Sequence, residues 1–180
     1  MKDIVIVILF FSTFAMGQNK FITRTGTINF EASVPSFEEV AATNKSATVI
    51  VNTENGELAA LVLVKAFRFK NALMEEHFNE SYAESDKFPK ATFRGKLLDF
   101  SFEKLSNETD YLISGKLEFH NVTKCIENIP VRLIYKSNKI NLSGTITVQS
   151  ADFNIIIPSI LQKKVSDKIE ISFSFVLLKQ

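Results

Sequence analysis

The sequence has no tryptophan, one cysteine, two histidines, four prolines and six glycines among its 180 residues. Each shortage removes something. With Cys125 alone, no internal disulfide forms, so stability must come from packing. Beside Ile126 this thiol reads as a small buried hydrophobe, because a nucleophilic thiolate wants a base and an exposed, electropositive site. His77 and His120 are too few for an ordinary zinc site, and no HExxH or paired-cysteine spacing occurs. Only His77 with Glu80 and Glu84 would share one side of a helix, so no metal is expected. No Gly-rich loop cradles phosphate, and no serine sits in a nucleophile-elbow pattern. The net charge is +1, with lysine and arginine dispersed, so the basic stripe that nucleic acid requires is missing. Glu75, Glu76, Glu80, Glu84 and Asp86 crowd together as a solvated face, and none is marked as the desolvated acid that proton transfer needs. No catalytic residue is expected.

What the chain has in excess is phenylalanine, seventeen in all. Phenylalanine adds apolar area without a polar tip to satisfy, which suits a core or a greasy pocket. The first residues read as a secretory leader. Lys2 supplies positive charge, 4–14 is almost unbroken apolar sequence, and Ala15-Met16-Gly17 gives small residues before a cleavage ahead of Gln18. The run is too short for an ordinary membrane span. The expected division is a signal peptide over 1–17 and one domain over 18–180.

That domain alternates apolar and polar residues, as half-buried strands do. Strands are expected over 20–32, 47–53, 58–68, 91–103, 111–120, 129–136, 140–149 and 168–178. In the first, Ile22, Gly26, Ile28 and Phe30 share the inward face. Asn55-Gly56 and Ser137-Asn138 mark hairpin turns. Ser36 with Glu39 fits a capping box for a short helix that Asn44 would stop, and 121–128 reads as a loop. A second apolar excursion, Ile155-Ile156-Ile157 and Pro158, leads into a helical turn through Leu161. About eight antiparallel strands imply an all-β closed sheet or sandwich, and eight can close around side chains or one ligand. Gly26, Gly95, Gly115 and Gly144 fall on the inward face, where they either let strands bend or leave a void.

The alternation stops between Phe67 and Gly95. Asn71 is a suitable N-cap, and Glu75 and Glu76 suit the start of a helix. Met74, Phe78 and Tyr82 recur every four residues on one side of it, and Phe88-Pro89 closes the stretch. The pattern is an amphipathic lid on a β body. The residues His77–Glu80 (HFNE), Tyr82, Phe88–Gly95 (FPKATFRG) and Lys116–Lys124 (KLEFHNVTK) resemble the YceI-like family of secreted bacterial lipid-binding domains. Where that family usually has HGVTK, this chain has Asn121 in the second position.

The resemblance implies a lipocalin-like barrel with an interior cavity. It further implies a periplasmic or secreted, non-enzymatic carrier of an amphipathic long-chain lipid, such as an isoprenoid quinone or prenyl phosphate, and no other cofactor. Leu63, Phe67, Phe69, Leu73, Met74, Phe78, Tyr82, Phe93, Leu117 and Phe119 are the expected lining. Arg68, Lys90, Arg94 and His77 are candidates for a polar head. A transient membrane-surface contact and a homodimer through an edge or the lid are compatible partners. Two other readings remain: a hydrolase or isomerase working through His77 or His120, and a barrel with a filled core.

Overall fold

The computed structural model describes residues 19–35, 37–106 and 109–180. The leader and Ser36 lie outside these residues. The strands are β1 (Lys20–Ser33), β2 (Ala41–Asn52), β3 (Glu57–Leu63), β4 (Arg68–Phe69), β5 (Lys90–Leu97), β6 (Thr109–Phe119), β7 (Val122–Lys136), β8 (Lys139–Gln149) and β9 (Val165–Lys179), and the helix α1 is Ala72–His77. Every pairing is antiparallel. Neighbours run β1-β9-β8-β7-β6-β5-β3-β2, and β2 returns to β1, so eight strands close. The two-residue β4 adds to β2 outside that ring. Closure pairs the edges of these eight strands with one another.

Turn chemistry sets the register. Of Asn55-Gly56 only Gly56 takes a left-handed φ, +74°, while the Asn55 side chain accepts from the Glu57 N–H at 3.0 Å. Ser137 and Asn138 both have positive φ, the twist that a two-residue hairpin requires. His120 and Asn121 repeat this between β6 and β7, with φ 49° and 57°. Asparagine at 121 therefore meets the backbone demand that glycine usually meets.

Several sequence expectations fail for local reasons. No helix follows Pro35 among the described residues. The chain turns at Phe37, whose N–H reaches the Val34 carbonyl at 3.2 Å, and β2 starts at Ala41. There the backbone pairs with β1 on one side and β4 on the other, a ladder that a helix would forfeit. Asn44 does not stop a helix but is fully buried within β2. Its amide donates to the Leu63 carbonyl at 3.0 Å, and its oxygen accepts from the Ser46 N–H and hydroxyl. β5 ends at Leu97, and a 3-10 turn over Phe102–Ser106 replaces the expected strand end. Residues 122–128 belong to β7. Thr123, Cys125 and Glu127 face outward there, so Cys125 is exposed, not buried. In β1, Phe21 and Thr23 are buried in place of Ile22, because an irregularity between Thr23 and Gly26 resets the alternation.

The interior divides into a solid half and a hollow half. In the solid half, Phe21, Val49, Leu97, Leu105, Leu133, Ile140 and Leu177 are essentially inaccessible. Phe21, Phe102 and Tyr135 close that end with ring centroids 5.1–6.1 Å apart. The inward glycines neither leave voids nor serve bending alone. They seat aromatic rings: a Cβ at Gly95 would lie 2.6 Å from the Phe93 ring, and one at Gly144 would lie 2.6 Å from Phe173. Those two rings line the hollow half.

Candidate functional site

Phe93 and Phe173 line a cavity of about 650 Å³ that reaches down to Ile113, Ile129 and Leu142, well within the size range of small-molecule sites. β strands supply its walls through alternate residues such as Ile28, Ala60, Leu117, Ile146 and Ile171. The lid covers it. Asn71 caps α1 by accepting from the N–H groups of Leu73 (3.0 Å) and Met74 (3.4 Å). The helix then widens into a π-helical turn over Phe78–Tyr82, closed by the Ala83 N–H to the Phe78 carbonyl at 2.8 Å. In an α-helix the four-residue spacing keeps these three on one side but drifts by about 40° at each step. The wider turn offsets that drift, and all three lie over the cavity.

Phe78 is the anchor of this lid. Its ring stacks on Phe30 at 5.3 Å and meets Phe69 at 5.2 Å and Phe67 at 6.0 Å. The trailing end of the lid is held by a polar clasp. His120 places Nδ1 2.9 Å from the Phe153 carbonyl and Nε2 3.1 Å from a Glu84 carboxylate oxygen, and Phe88 packs edge-on to its ring at 4.5 Å. Lys87 also binds Glu84. The hydrogen bond from Lys87, then that from His120, holds the Glu84 carboxyl below its ordinary value. Across the clasp, Asp152 pairs with Lys124 and accepts from the Gln149 N–H at 2.9 Å, and these two contacts lower its carboxyl in the same way.

Of the expected lining, Phe67, Phe69, Leu73, Met74, Phe78, Tyr82, Phe93, Leu117 and Phe119 all face the cavity. Leu63 does not. It is 48% exposed, and Val62 points inward instead. A 3-10 turn at Val64–Ala66 separates β3 from Phe67, so counting by twos across it gives the wrong face. His77 reaches the rim, but the three basic head-group candidates do not. Arg68 is tied to Glu75 at 2.8 Å and to the Lys65 carbonyl at 2.8 Å. Lys90 and Arg94 are exposed on the outer face of β5, a consequence of the same alternation that turns Phe93 inward.

The rim instead takes its polar groups from Glu38, Asn71, Lys164 and Ser166. Phe30 and Lys164 escaped sequence reasoning. Phe30 had its signal in the inward parity of β1, and Lys164 in its place just after the apolar 155–161 segment. His120 lies off the cavity wall, with both ring nitrogens within hydrogen-bonding distance of protein oxygens. Among the described residues no three metal-ligating side chains converge. The arrangement suits holding a hydrocarbon chain inside with a polar end at the rim.

Similar architecture is found in solved structures. A polyisoprenoid-binding domain from Saccharophagus degradans superposes with a TM-score of 0.76 at 12% identity, over 91% of this chain and 99% of that one. BcnA of Burkholderia cenocepacia gives a TM-score of 0.69 at 14% identity, over 84% of this chain and 95% of its own. The YceI protein of Campylobacter jejuni gives 0.54 at 18% identity, over 73% of this chain and 78% of its own. At these identities the likeness speaks for the fold. No curated protein sequence matches the chain. The model of the YceI-like domain matches residues 13–177, nearly the whole length, and the chain belongs to the YceI-like domain family.

Proposed function

We propose that this protein is a non-enzymatic carrier that holds one amphipathic long-chain lipid, of the polyisoprenoid class, inside the barrel. The observation that carries the reading is the apolar cavity of about 650 Å³ beneath a lid anchored by Phe78. Each methylene moved from water into such a cavity gains about 0.8 kcal/mol, so a long chain accumulates affinity without specific polar contacts. The polyisoprenoid class is favoured by the Saccharophagus degradans domain that shares the fold. A periplasmic or secreted location follows from the expected leader over 1–17. Organic extraction of the purified protein, followed by mass spectrometry, tests the reading. It predicts a long-chain isoprenoid in near-equimolar amount. Repeated recovery of no lipid, together with no uptake of added isoprenoid quinone, overturns it. Turnover of a hydrophobic ester that disappears on replacement of His77 would favour the enzymatic alternative.

A further inference from the structure

The two lips of the cavity mouth differ in chemistry. One lip is the stretch 153–166, which has no carboxylate and two lysines, Lys163 and Lys164. Its side chains split between two directions. Ile155, Ile157 and Leu161 face the cavity. Ile156 and Ile160 face away and are 85% and 81% exposed. Phe37, 49% exposed, lines the same mouth as Val165, which pairs with Ser33 at the end of β1. The glutamates next to it are occupied: Glu39 pairs with Lys70, and Glu38 accepts from the Asn71 amide at 3.0 Å. The lid, which meets this lip through Asn71, completes the mouth, and on it Glu76 and Glu80 stand exposed. Single exposed aliphatics are ordinary on a protein surface. Three large ones gathered at the opening of an apolar cavity mark an interaction site.

We propose that the 153–166 lip is a membrane-docking edge. Ile156, Ile160 and Phe37 enter the headgroup–acyl boundary of an anionic lipid surface, and Lys163 and Lys164 meet its phosphates. Glu76 and Glu80 of the lid are repelled by the same surface, so the barrel docks with Ile156, Ile160 and Lys163 against the lipid. The inference rests on the carrier reading, since a chain insoluble in water must reach the mouth from a bilayer.

The absence of tryptophan provides a clean reporter. Ile160→Trp emission is expected to shift to the blue when vesicles of phosphatidylcholine and phosphatidylglycerol in equal parts are added, and to shift less with phosphatidylcholine alone. In cosedimentation, the double substitution Ile156→Asp with Ile160→Asp should weaken vesicle binding by roughly tenfold or more. Lys163→Gln should weaken binding to the mixed vesicles about fivefold. Uptake of a short-chain ubiquinone in solution should be unchanged in the double variant, because neither isoleucine lines the cavity.

Unshifted tryptophan emission with both vesicle types, or equal vesicle binding by wild type and double variant, overturns the docking edge. So does a vesicle-independent dimer that the double variant abolishes. If the wild-type protein takes up ubiquinone yet ignores vesicles, the docking inference falls while the carrier reading stands. If it takes up no ubiquinone, the carrier reading falls.

Discussion

His120 shows how one residue is redirected by its surroundings. By sequence it is one of two possible bases. In the structure it is a clasp between the end of the lid and the turn after β8, with Phe153 and Glu84 as partners. His120→Ala removes the ring that bridges the Phe153 carbonyl and the Glu84 carboxylate and should cost about 1–3 kcal/mol. Thermal unfolding checks this, and ubiquinone uptake by the folded variant should persist. Glu84 gives the clasp a pH dependence. Its carboxyl is held below its ordinary value in the folded protein, so its contribution is fully present above the unfolded value and is lost as pH falls through the folded one. Asp152 acts in the same direction. The protection of residues 78–88 against hydrogen exchange, taken relative to the intrinsic rate at each pH, should therefore fall as the solution is acidified below about pH 4.5, the ordinary glutamate value. In Glu84→Gln that loss of protection should be smaller. An identical profile in the variant would remove Glu84 from the account.

At the scale of elements, the lid depends on one ring. Phe78 reaches the other strands through Phe30, Phe67 and Phe69, while no residue of α1 is buried. Phe78→Ala should cost about 2 kcal/mol, less than a fully buried phenylalanine because the site is only half buried. It should also speed exchange in α1 before the barrel responds. Uniform acceleration across the strands would show that lid and barrel open as one unit.

This is also the scale at which sequence was most and least informative. Asn71, Met74, Phe78 and Tyr82 were legible because helix caps and four-residue spacing are local properties. The inward faces of β5, β6, β8 and β9 were legible because alternation is local too. Ile22 and Leu63 were misplaced where an irregular residue or a 3-10 turn reset the count. The helix expected after Pro35 failed because β1 and β4 together claim the backbone of 41–44, which is long-range information. Arg68, Lys90 and Arg94 are near the lid in sequence but not near the cavity mouth. Lys164, far from the lid in sequence, reaches the mouth because β9 starts there.

For the whole molecule, the account depends on a barrel that is solid at one end and hollow at the other. The solid end supplies the stability that the hollow end forgoes, since unfilled apolar space lacks the contacts of a packed core. Filling the hollow should therefore separate stability from binding. Ala60 lies on the cavity wall, and Ala60→Phe should leave the protein at least as stable as wild type while reducing ubiquinone uptake at least tenfold. Unaltered uptake would place the ligand elsewhere.

The most direct test is the melting midpoint as an isoprenoid quinone is titrated. A ligand bound only by the folded barrel, at about a hundredfold above its dissociation constant, adds about 2.7 kcal/mol and should raise the midpoint by about 5–10 °C for a domain of this size. The account predicts that rise in the wild-type protein and its loss in Ala60→Phe. A midpoint that stays fixed across the titration, in a protein that melts cooperatively and has been stripped of lipid, would contradict the claim that the hollow half exists to hold a chain.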